Sequence, residues 1–534
     1  MKERITYLLH VGEDAFDPAR LTVSKHSLAV PPLKAAKEHR LTLGLSELPP
    51  ELLPVLKQTH ELHIRWATSQ PYTSTPPYVS RVSPGLHAYF TPRKGKRADG
   101  LCSALKTTFG HELDCETPSD TFIGVPILSE RFSMSASSQY HSLLPSLQSL
   151  VSYVSEKFCT ADDCKAKASS LLSASYVDFD FDAISNALII NAFWAEGPTE
   201  GGLWNEEISR GKADTMEVGV LNNEVPLEPE ELSLSGFLTV VGDDTKAKPT
   251  LFSFPSRHHP LPSTAHPVHP TYYTTFNEPT GLHPTLKLSF PQPKKTLTPP
   301  GPSCLLHAYV TLPSTFFLDK YQFSDPLYLA SHNLRNIFAH AGATDLEAPD
   351  WVVPQWGSVA LFELAHPVPH PDDPDPAPPS ADAAVSDSVD DDTSFEATIP
   401  LHLRYLPPSA NSSGLVNASL PWPTVFWTCP AEEGSKMNVN PFDRTNLGYE
   451  GLFGNRAMFY HVPPAKDGGA GEGGLVETLK VPVLDLDRAW YVEYGTVAAV
   501  VLATAWLLMK LGGVVKNAGF GRGKPVAAGV KKSQ

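Results

Sequence analysis

Apolar and polar positions in the first 242 residues follow two spacings. Between residues 143 and 158 apolar side chains recur at steps of three and four, which predicts one face of a helix: Leu143, Leu147, Leu150, Val151, Val154 and Phe158. From Val177 to Asp182 apolar and acidic residues alternate, as in a half-buried strand, and apolar runs at 188–195 and 232–242 predict further strands. We therefore predict a mixed α/β domain over 1–242.

Prolines then interrupt every apolar run, and we interpret 243–275 as a linker rich in proline and histidine. Over 276–486 short apolar runs separated by turn residues predict a β-sandwich: 304–318, 356–364, 397–406, 424–429, 457–462 and 477–486. The predicted fold class is mainly β, with an α+β N-terminal part, a β-sandwich and one C-terminal transmembrane helix.

The transmembrane helix is predicted over 494–515, a stretch of 22 residues whose only charge is Lys510. A helix of that length measures about 33 Å, against a hydrocarbon core of about 30 Å. Trp490, Tyr491 and Tyr494 would lie at one membrane interface. The alternative is a buried terminal helix of a soluble protein, because the uninterrupted apolar run from Tyr494 to Met509 has 16 residues.

Charges around this helix predict its orientation. Residues 516–534 hold five basic residues and no acid, which predicts a cytosolic tail and places the large N-terminal part in the lumen. Lys531 and Lys532 occupy the fourth and third positions from the carboxyl end, as in the dilysine retrieval signal of endoplasmic-reticulum membrane proteins. The N-terminus has no apolar stretch of signal-peptide length, so the translocation route stays open.

The overall charge excludes one class of function. Asp and Glu total 58 against 42 Lys and Arg, a formal charge of −16, which opposes nucleic-acid binding. Eight aspartates and no basic residue lie within 366–395, and seven prolines lie between 367 and 379. We predict a disordered, solvated insertion there.

In a lumenal location, two asparagine sequons could be glycosylated and the cysteines could be oxidised. Asn411 and Asn417 begin glycosylation sequons, which we expect in a surface loop. The six cysteines could form disulfides, and the sequence does not choose among the 15 possible pairings. The pairs closest in sequence are Cys102 with Cys115 and Cys159 with Cys164, and the other two cysteines are Cys304 and Cys429.

Four strings resemble the PIG-X family, in particular its longer fungal members: LPSTFFLDKYQF (312–323), HLRYLPPS (402–409), TVFWTCP (424–430) and MFYHVPP (458–464). The resemblance implies a non-catalytic subunit of GPI mannosyltransferase I without cofactors, which stabilises the multi-span catalytic partner PIG-M in the endoplasmic reticulum. That enzyme transfers the first mannose from dolichol-phosphate mannose. For the fungal branch, a wider chaperone-like role in folding of lumenal proteins is also implied.

The competing hypothesis is a lumenal enzyme. Asp178, Asp180 and Asp182 have the Asp-x-Asp spacing that some metal-dependent glycosyltransferases use. A solvated strand face is the favoured interpretation, because it needs no partners, whereas a metal site needs other ligands that no nearby residue supplies. Five histidines invite a metal site, but their irregular spacing shares no helix or strand face: His258, His259, His266, His269 and His283. For Asp319 and Lys320 we predict structural or partner-contact roles. We expect no catalytic, cofactor or metal residue.

Overall fold

The computed structural model describes the chain except for these residues: 11–15, 126–136, 160, 212–213, 263–269, 294–296, 366–393, 411–412, 436, 438–439, 443–446, 467–473 and 519–534. These predicted features therefore lie outside the described residues: 366–393 of the acidic insertion, the sequon residue Asn411, the histidines His266 and His269, and the tail lysines Lys531 and Lys532. The last two residues of the predicted insertion, Ser394 and Phe395, begin a strand, so the prediction of disorder is wrong for them. The predicted fold class is confirmed, because the described chain is mostly β with one C-terminal apolar helix.

The first half of the chain forms one large sheet. Its strands are β1 Lys2–Leu9, β2 Thr22–Val23, β3 Ser27–Gly44, β4 Thr59–Ala67, β5 Gly85–Pro92, β6 Ile123–Gly124, β7 Ser138–Ser142, β8 Tyr176–Asp182, β9 Ala187–Trp194, β10 Leu203–Ser209, β11 Thr215–Glu224, β12 Glu231–Val240 and β13 Lys248–Pro255. Within the described residues the sheet has 13 strands in the order β13-β12-β11-β1-β3-β9-β8-β4-β5-β7-β6, with β2 and β10 pairing with β3. β1 and β11 are parallel, and the predicted strands at 177–182, 188–195 and 232–242 are β8, β9 and β12.

Helices lie on one face of this sheet: α1 Leu53–Leu56, α2 Leu101–Phe109, α3 Pro118–Thr121, α4 Gln148–Lys157 and α5 Asp162–Ser170. α4 is the helix predicted from the spacing between 143 and 158, but it begins at Gln148, so Leu143 and Leu147 precede it. Its residues Leu150 and Val151 are buried, as the predicted apolar face requires.

The second half forms smaller sheets. Its elements are β14 His258–Pro260, β15 Tyr273–Phe276, β16 Thr285–Pro293, β17 Leu305–Pro313, β18 Phe316–Phe317, α6 Pro326–Ser331, β19 Leu334–Gly342, β20 Gly357–Leu364, β21 Ser394–Pro400, β22 His402–Leu403, β23 Leu415–Pro421, β24 Thr424–Pro430, β25 Ala457–His461 and β26 Val476–Pro482. In the described part a six-stranded sheet has the order β14-β25-β24-β17-β20-β19, β15-β16-β21 form a second sheet, and β18-β22 and β23-β26 form pairs.

The proline-rich stretch 243–300, which begins with the predicted linker 243–275, contains strands β13 to β16. Three of them, β13, β14 and β15, are edge strands of their sheets, and β13 and β14 contain prolines. An edge strand tolerates proline because one of its sides needs no ladder hydrogen bonds. Pro249 and Pro255 of β13 and Pro260 of β14 fit this rule.

Both large sheets contribute to one apolar core, in which Tyr309 and Phe459 of the second half join Tyr89 and Tyr140 of the first. One compact unit comprises 1–405 and 418–479, and a second comprises 406–417 and 480–534. The domain boundaries predicted from the sequence stay predictions.

The second unit contains α7, Ala489–Ala518. Among the described residues, the segment Leu486–Lys516 is the one helical stretch long and apolar enough to cross a membrane. From Trp490 to Lys516 every side chain is exposed. The alternative of a buried terminal helix is therefore wrong for this chain.

Candidate functional site

One face of the large sheet carries polar side chains instead of apolar ones. On β4, Glu61, His63 and Arg65 alternate with apolar residues, so they share this face. The pairing of β4 with β8 sets Arg65 opposite Asp178 and His63 opposite Asp180. The same register extends across β5 and β7. We call these eight residues the buried polar layer: His63, Arg65, His87, Tyr89, Gln139, His141, Asp178 and Asp180.

The buried polar layer is covered by the six-stranded sheet and the residues beside it. Tyr309 Oη donates a hydrogen bond to Gln139 Oε1 over 3.0 Å, and Trp356 Nε1 donates to the Gln139 carbonyl over 2.8 Å. Ser83 Oγ donates to Thr311 Oγ1 over 2.8 Å. The layer therefore lies inside the molecule, between two sheets.

Arg65 and Asp178 are the charged pair of this layer. Arg65 Nε donates to Asp178 Oδ1 over 2.6 Å, and an Arg65 terminal nitrogen donates to Oδ2 over 2.5 Å. Arg65 is 1% exposed and Asp178 is 4% exposed. The guanidinium also donates to Ser80 Oγ and lies 4.4 Å from the centre of the Tyr176 ring. Both oxygens of Asp178 are thus engaged by a buried cation.

Asp180 and Asp182 have different surroundings. His63 lies 3.8 Å from Asp180 Oδ1 and 3.6 Å from Asp178 Oδ1, and burial opposes its charge, yet these carboxylates raise the pKa of His63. Burial, with the charge of Asp180, raises the pKa of Glu61 to about 7. Asp182 caps the turn after β8 and accepts hydrogen bonds from the backbone N–H groups of Ile184 and Ser185.

These positions correct the solvated-face interpretation of the three aspartates. Asp178 and Asp180 are buried beside Arg65 and His63 of β4, while Asp182 is half-buried at the end of the strand. Across the described ranges, no three carboxylate, imidazole or thiol groups converge as a metal-ligand set. The arrangement fits charge neutralisation inside the fold, and the Asp-x-Asp spacing follows from strand alternation.

Buried histidines continue the polar layer. The rings of His87 and His141 lie 4.6 Å apart. Burial lowers the pKa of His141 to about 4 and that of His87 well below its usual value. Both rings are therefore neutral near pH 7. Sequence analysis missed them, because their strands are separated by some 50 residues of chain and only the sheet order brings them together.

The predicted histidine group is dispersed. His258 shares a 2.8 Å hydrogen bond with His461, and its other ring nitrogen lies 3.3 Å from Glu450. Burial acts to raise the pKa of Glu450, but His258 and Arg257 lower it to about 2. His259 bonds to the Ser256 carbonyl, and His283 bonds to His402 elsewhere.

The charged pair Asp319 and Lys320 makes local contacts. Asp319 Oδ1 accepts a 2.9 Å hydrogen bond from the Tyr321 backbone N–H, which stabilises the turn after β18. Lys320 Nζ lies 5.3 Å from the centre of the Tyr321 ring.

All six cysteines are paired in three disulfides, Cys102–Cys115, Cys159–Cys164 and Cys304–Cys429. The second joins α4 to α5, and the third joins the start of β17 to β24. The sequon residue Asn417 is exposed on β23, so it lies on a strand and the expectation of a loop is wrong for it.

An exposed apolar patch lies on the first compact unit. Trp351 is 59% exposed, Val352 is 57% exposed and Tyr405 is 71% exposed. The backbone N–H of Asp350 donates to the Tyr405 carbonyl over 3.0 Å, which brings the two segments together. Arg404 fixes the neighbouring loop by donating to the carbonyls of residues 343, 345 and 348. We call Trp351, Val352 and Tyr405 the aromatic patch.

Comparisons with known proteins found a family model and several relatives that match this chain. A family model described as PIG-X / PBN1 matches residues 279–512, from the strands of the second half into α7. The chain is 47% identical to "Protein pbn1" of Emericella nidulans over 97% of each chain. It is 40% identical to "Protein pbn1" of Neurospora crassa over 100% of this chain and 99% of that protein. It is 26% identical to "Protein pbn1" of Schizosaccharomyces pombe over 45% of this chain and 59% of that one.

Proposed function

The chain belongs to the PIG-X / PBN1 family, which has a role in GPI-anchor biosynthesis, and we propose that it acts there as a non-catalytic stabilising subunit. Its partner is the multi-span catalytic subunit of GPI mannosyltransferase I, of the PIG-M type. The complex adds the first mannose. The chain holds this partner in its folded, assembled state by binding that state selectively.

The observation that carries the proposal is the pairing of Arg65 with Asp178. The Asp-x-Asp strand is the feature that most favours an enzyme, and its first carboxylate is neutralised within a covered layer. A metal-dependent transferase needs such carboxylates open to metal and substrate. The Asp178 carboxylate is instead paired with Arg65 in the interior, which supports a structural role for this strand and argues against the glycosyltransferase or hydrolase alternative.

Two exposed apolar surfaces support a binding role. The aromatic patch presents Trp and Tyr, which are enriched at protein interfaces and often dominate their energy. α7 presents small residues, Gly512 with Gly513 on one part and Ala498, Ala499 and Ala503 on another, which allow close helix approach in a bilayer. We propose that both surfaces contact the catalytic subunit.

The proposed location is the endoplasmic-reticulum membrane, with the N-terminal part in the lumen and the C-terminus in the cytosol. The single apolar helix supports one membrane crossing. The asymmetry of charge around it supports the orientation. The paired cysteines support an oxidising compartment.

The aromatic patch gives the test of this function. Cells lacking the native chain are supplied with Trp351→Ala combined with Tyr405→Ala, or with Leu227→Ala, a matched change at an apolar residue that is 93% exposed elsewhere. The patch variant itself should accumulate normally. Less catalytic subunit should copurify with it, and the abundance of the catalytic subunit in the cells should fall. Leu227→Ala should behave as wild type. Normal recovery of the subunit with the patch variant would contradict the assigned contact surface.

A further inference from the structure

A cavity of about 310 Å³ lies between the helices and the large sheet, on the face opposite the buried polar layer. Its floor is formed by side chains of β3, β8 and β9, and α4 and α5 cover it. The apolar lining residues include Leu41, Phe158, Phe179, Ile190 and Trp194. A volume near 300 Å³ with a mostly apolar lining is within the range of small-molecule sites.

The cavity exists because α5 places small side chains over the sheet. The helix sequence is DDCKAKASS, and its one buried residue is Ala168. Beneath it Phe158, Phe179 and Ile190 are only half-buried, although they line the interior side of the sheet and helix. A leucine at position 168 would occupy part of this space. α5 is joined to α4 by the Cys159–Cys164 disulfide.

A second cavity of about 90 Å³ continues the same apolar space under α2 and α4. The two cavities share the side chains of Val154, Phe158, Phe179 and Ile190. The second is lined by leucine, valine, alanine, isoleucine and aromatic side chains with a single threonine. The two cavities therefore adjoin, and both are lined mainly by apolar side chains.

The mouth of the larger cavity is polar and of mixed charge. Lys167 and Asp163 lie there, with Lys167 Nζ 3.5 Å from Asp163 Oδ2. Glu3 and His39 also line the cavity, with their carboxylate and ring 2.7 Å apart, and Glu3 is buried. Lys167 and Asp163 are exposed. A ligand with an apolar tail and a polar head would place its head at this mouth.

We propose that this space binds the hydrocarbon chain of a lipid. The floor strands use their backbone groups in pairing with neighbouring strands, so a peptide backbone would find few partners there. A hydrocarbon chain needs no hydrogen bonds and gains by leaving water. The proposal is independent of the mannosyltransferase partnership.

The test is photolabelling of the full-length chain in phospholipid nanodiscs. One sample contains a free fatty acid with a chain diazirine, and the other contains a phosphatidylcholine with the same group in one acyl chain. α7 is the internal reference, since bilayer probes reach it in either sample. Labelled peptides around 154–171 and 179–194 support the proposal. The probe that labels them shows whether the bound hydrocarbon chain belongs to a free fatty acid or to a phospholipid. Labelling confined to α7 overturns it.

Variants make the assignment specific. Ala168→Leu fills the cavity from the helix, and Leu41→Phe narrows it from the floor, so either should reduce labelling of the lining several-fold while α7 labelling persists. Ala166→Leu is the matched control, because Ala166 is exposed on the same helix. Undiminished labelling of the lining in a folded Leu41→Phe protein, with retained thermal transition, would contradict the site.

Discussion

Arg65 and Asp178 face each other on adjacent antiparallel strands and are joined by two hydrogen bonds of 2.6 and 2.5 Å inside the protein. The two residues are 113 positions apart in the chain. Their pairing connects β4 to β8 and neutralises two opposite charges that these strands carry into the interior. The Asp178 carboxylate, which the Asp-x-Asp spacing made a candidate for catalysis, thereby has a structural role.

Removing the negative charge of this pair should destabilise the protein. Asp178→Asn leaves the Arg65 guanidinium buried without its counter-charge, so the free energy of unfolding should fall by about 3 to 5 kcal/mol. Chemical denaturation of the detergent-solubilised full-length chain measures it. Asp182→Asn is the matched control and should cost less than about 1 kcal/mol, because asparagine caps a turn nearly as well as aspartate.

Replacing both partners together should restore stability. In Arg65→Met with Asp178→Leu neither charge is left unpaired, so the double variant should be more stable than Asp178→Asn. Its support of mannosylation should recover with its abundance. If the double variant folds and accumulates normally but supports no mannosylation, the Asp178 carboxylate takes part in the chemistry, and its purely structural role is contradicted.

The Cys304–Cys429 disulfide should stabilise the chain more than Cys159–Cys164. The first closes a separation of 125 residues and the second a separation of 5. Loop-closure entropy assigns them about 5 and about 2 kcal/mol respectively. Paired alanine variants compared by thermal unfolding test the order, and equal losses would show that chain entropy is not the dominant contribution.

Stability should decrease as the pH falls from about 7 to about 5. Burial lowers the pKa of His141, His259 and His307 to about 4 from 6.5, so below about pH 6.5 the unfolded chain binds protons that the folded chain does not. The raised pKa values of Glu61 and His63 act in the opposite direction but involve fewer groups.

His141→Gln tests this pH dependence. Glutamine can keep the 3.0 Å hydrogen bond that His141 Nε2 donates to the Pro84 carbonyl, and it does not titrate. Denaturation midpoints of this variant should vary less with pH than those of wild type. A steeper variation would contradict the assignment of a neutral buried ring.

The orientation in the membrane can be checked at Asn417, which is exposed on β23. If this part is lumenal, Asn417→Gln should remove one glycan, and glycosidase treatment should then shift the variant less than wild type on a gel. Identical mobility shifts would mean that Asn417 carries no glycan, and the topology would lose this support.

Local patterns predicted much of the fold. β8, β9, β12, β24 and the apolar helix α7 all lie where spacing or composition placed them, because each depends on short stretches of chain. Alternation at 177–182 also predicted that one side of β8 is polar. It did not predict that Asp178 on this side is buried, because its partner Arg65 lies 113 positions away and only the pairing of β4 with β8 brings the two together.

The candidate site was harder to predict for the same reason. His87, His141 and His461 stand alone in the sequence, and only strand pairing brings His87 beside His141 and His461 beside His258. The prolines of β13 and β14 favoured a linker where the structure has strands. Proline opposes a central strand, but these strands lie at sheet edges, which is a property of the topology.

The central claim is that this chain stabilises a catalytic partner and does not perform the chemistry. The direct measurement is a pulse-chase of the PIG-M type subunit after this chain is depleted, combined with mannosylation per remaining molecule of that subunit. We predict a shortened half-life of the subunit and unchanged mannosylation per molecule. A normal half-life with mannosylation lost would contradict the account.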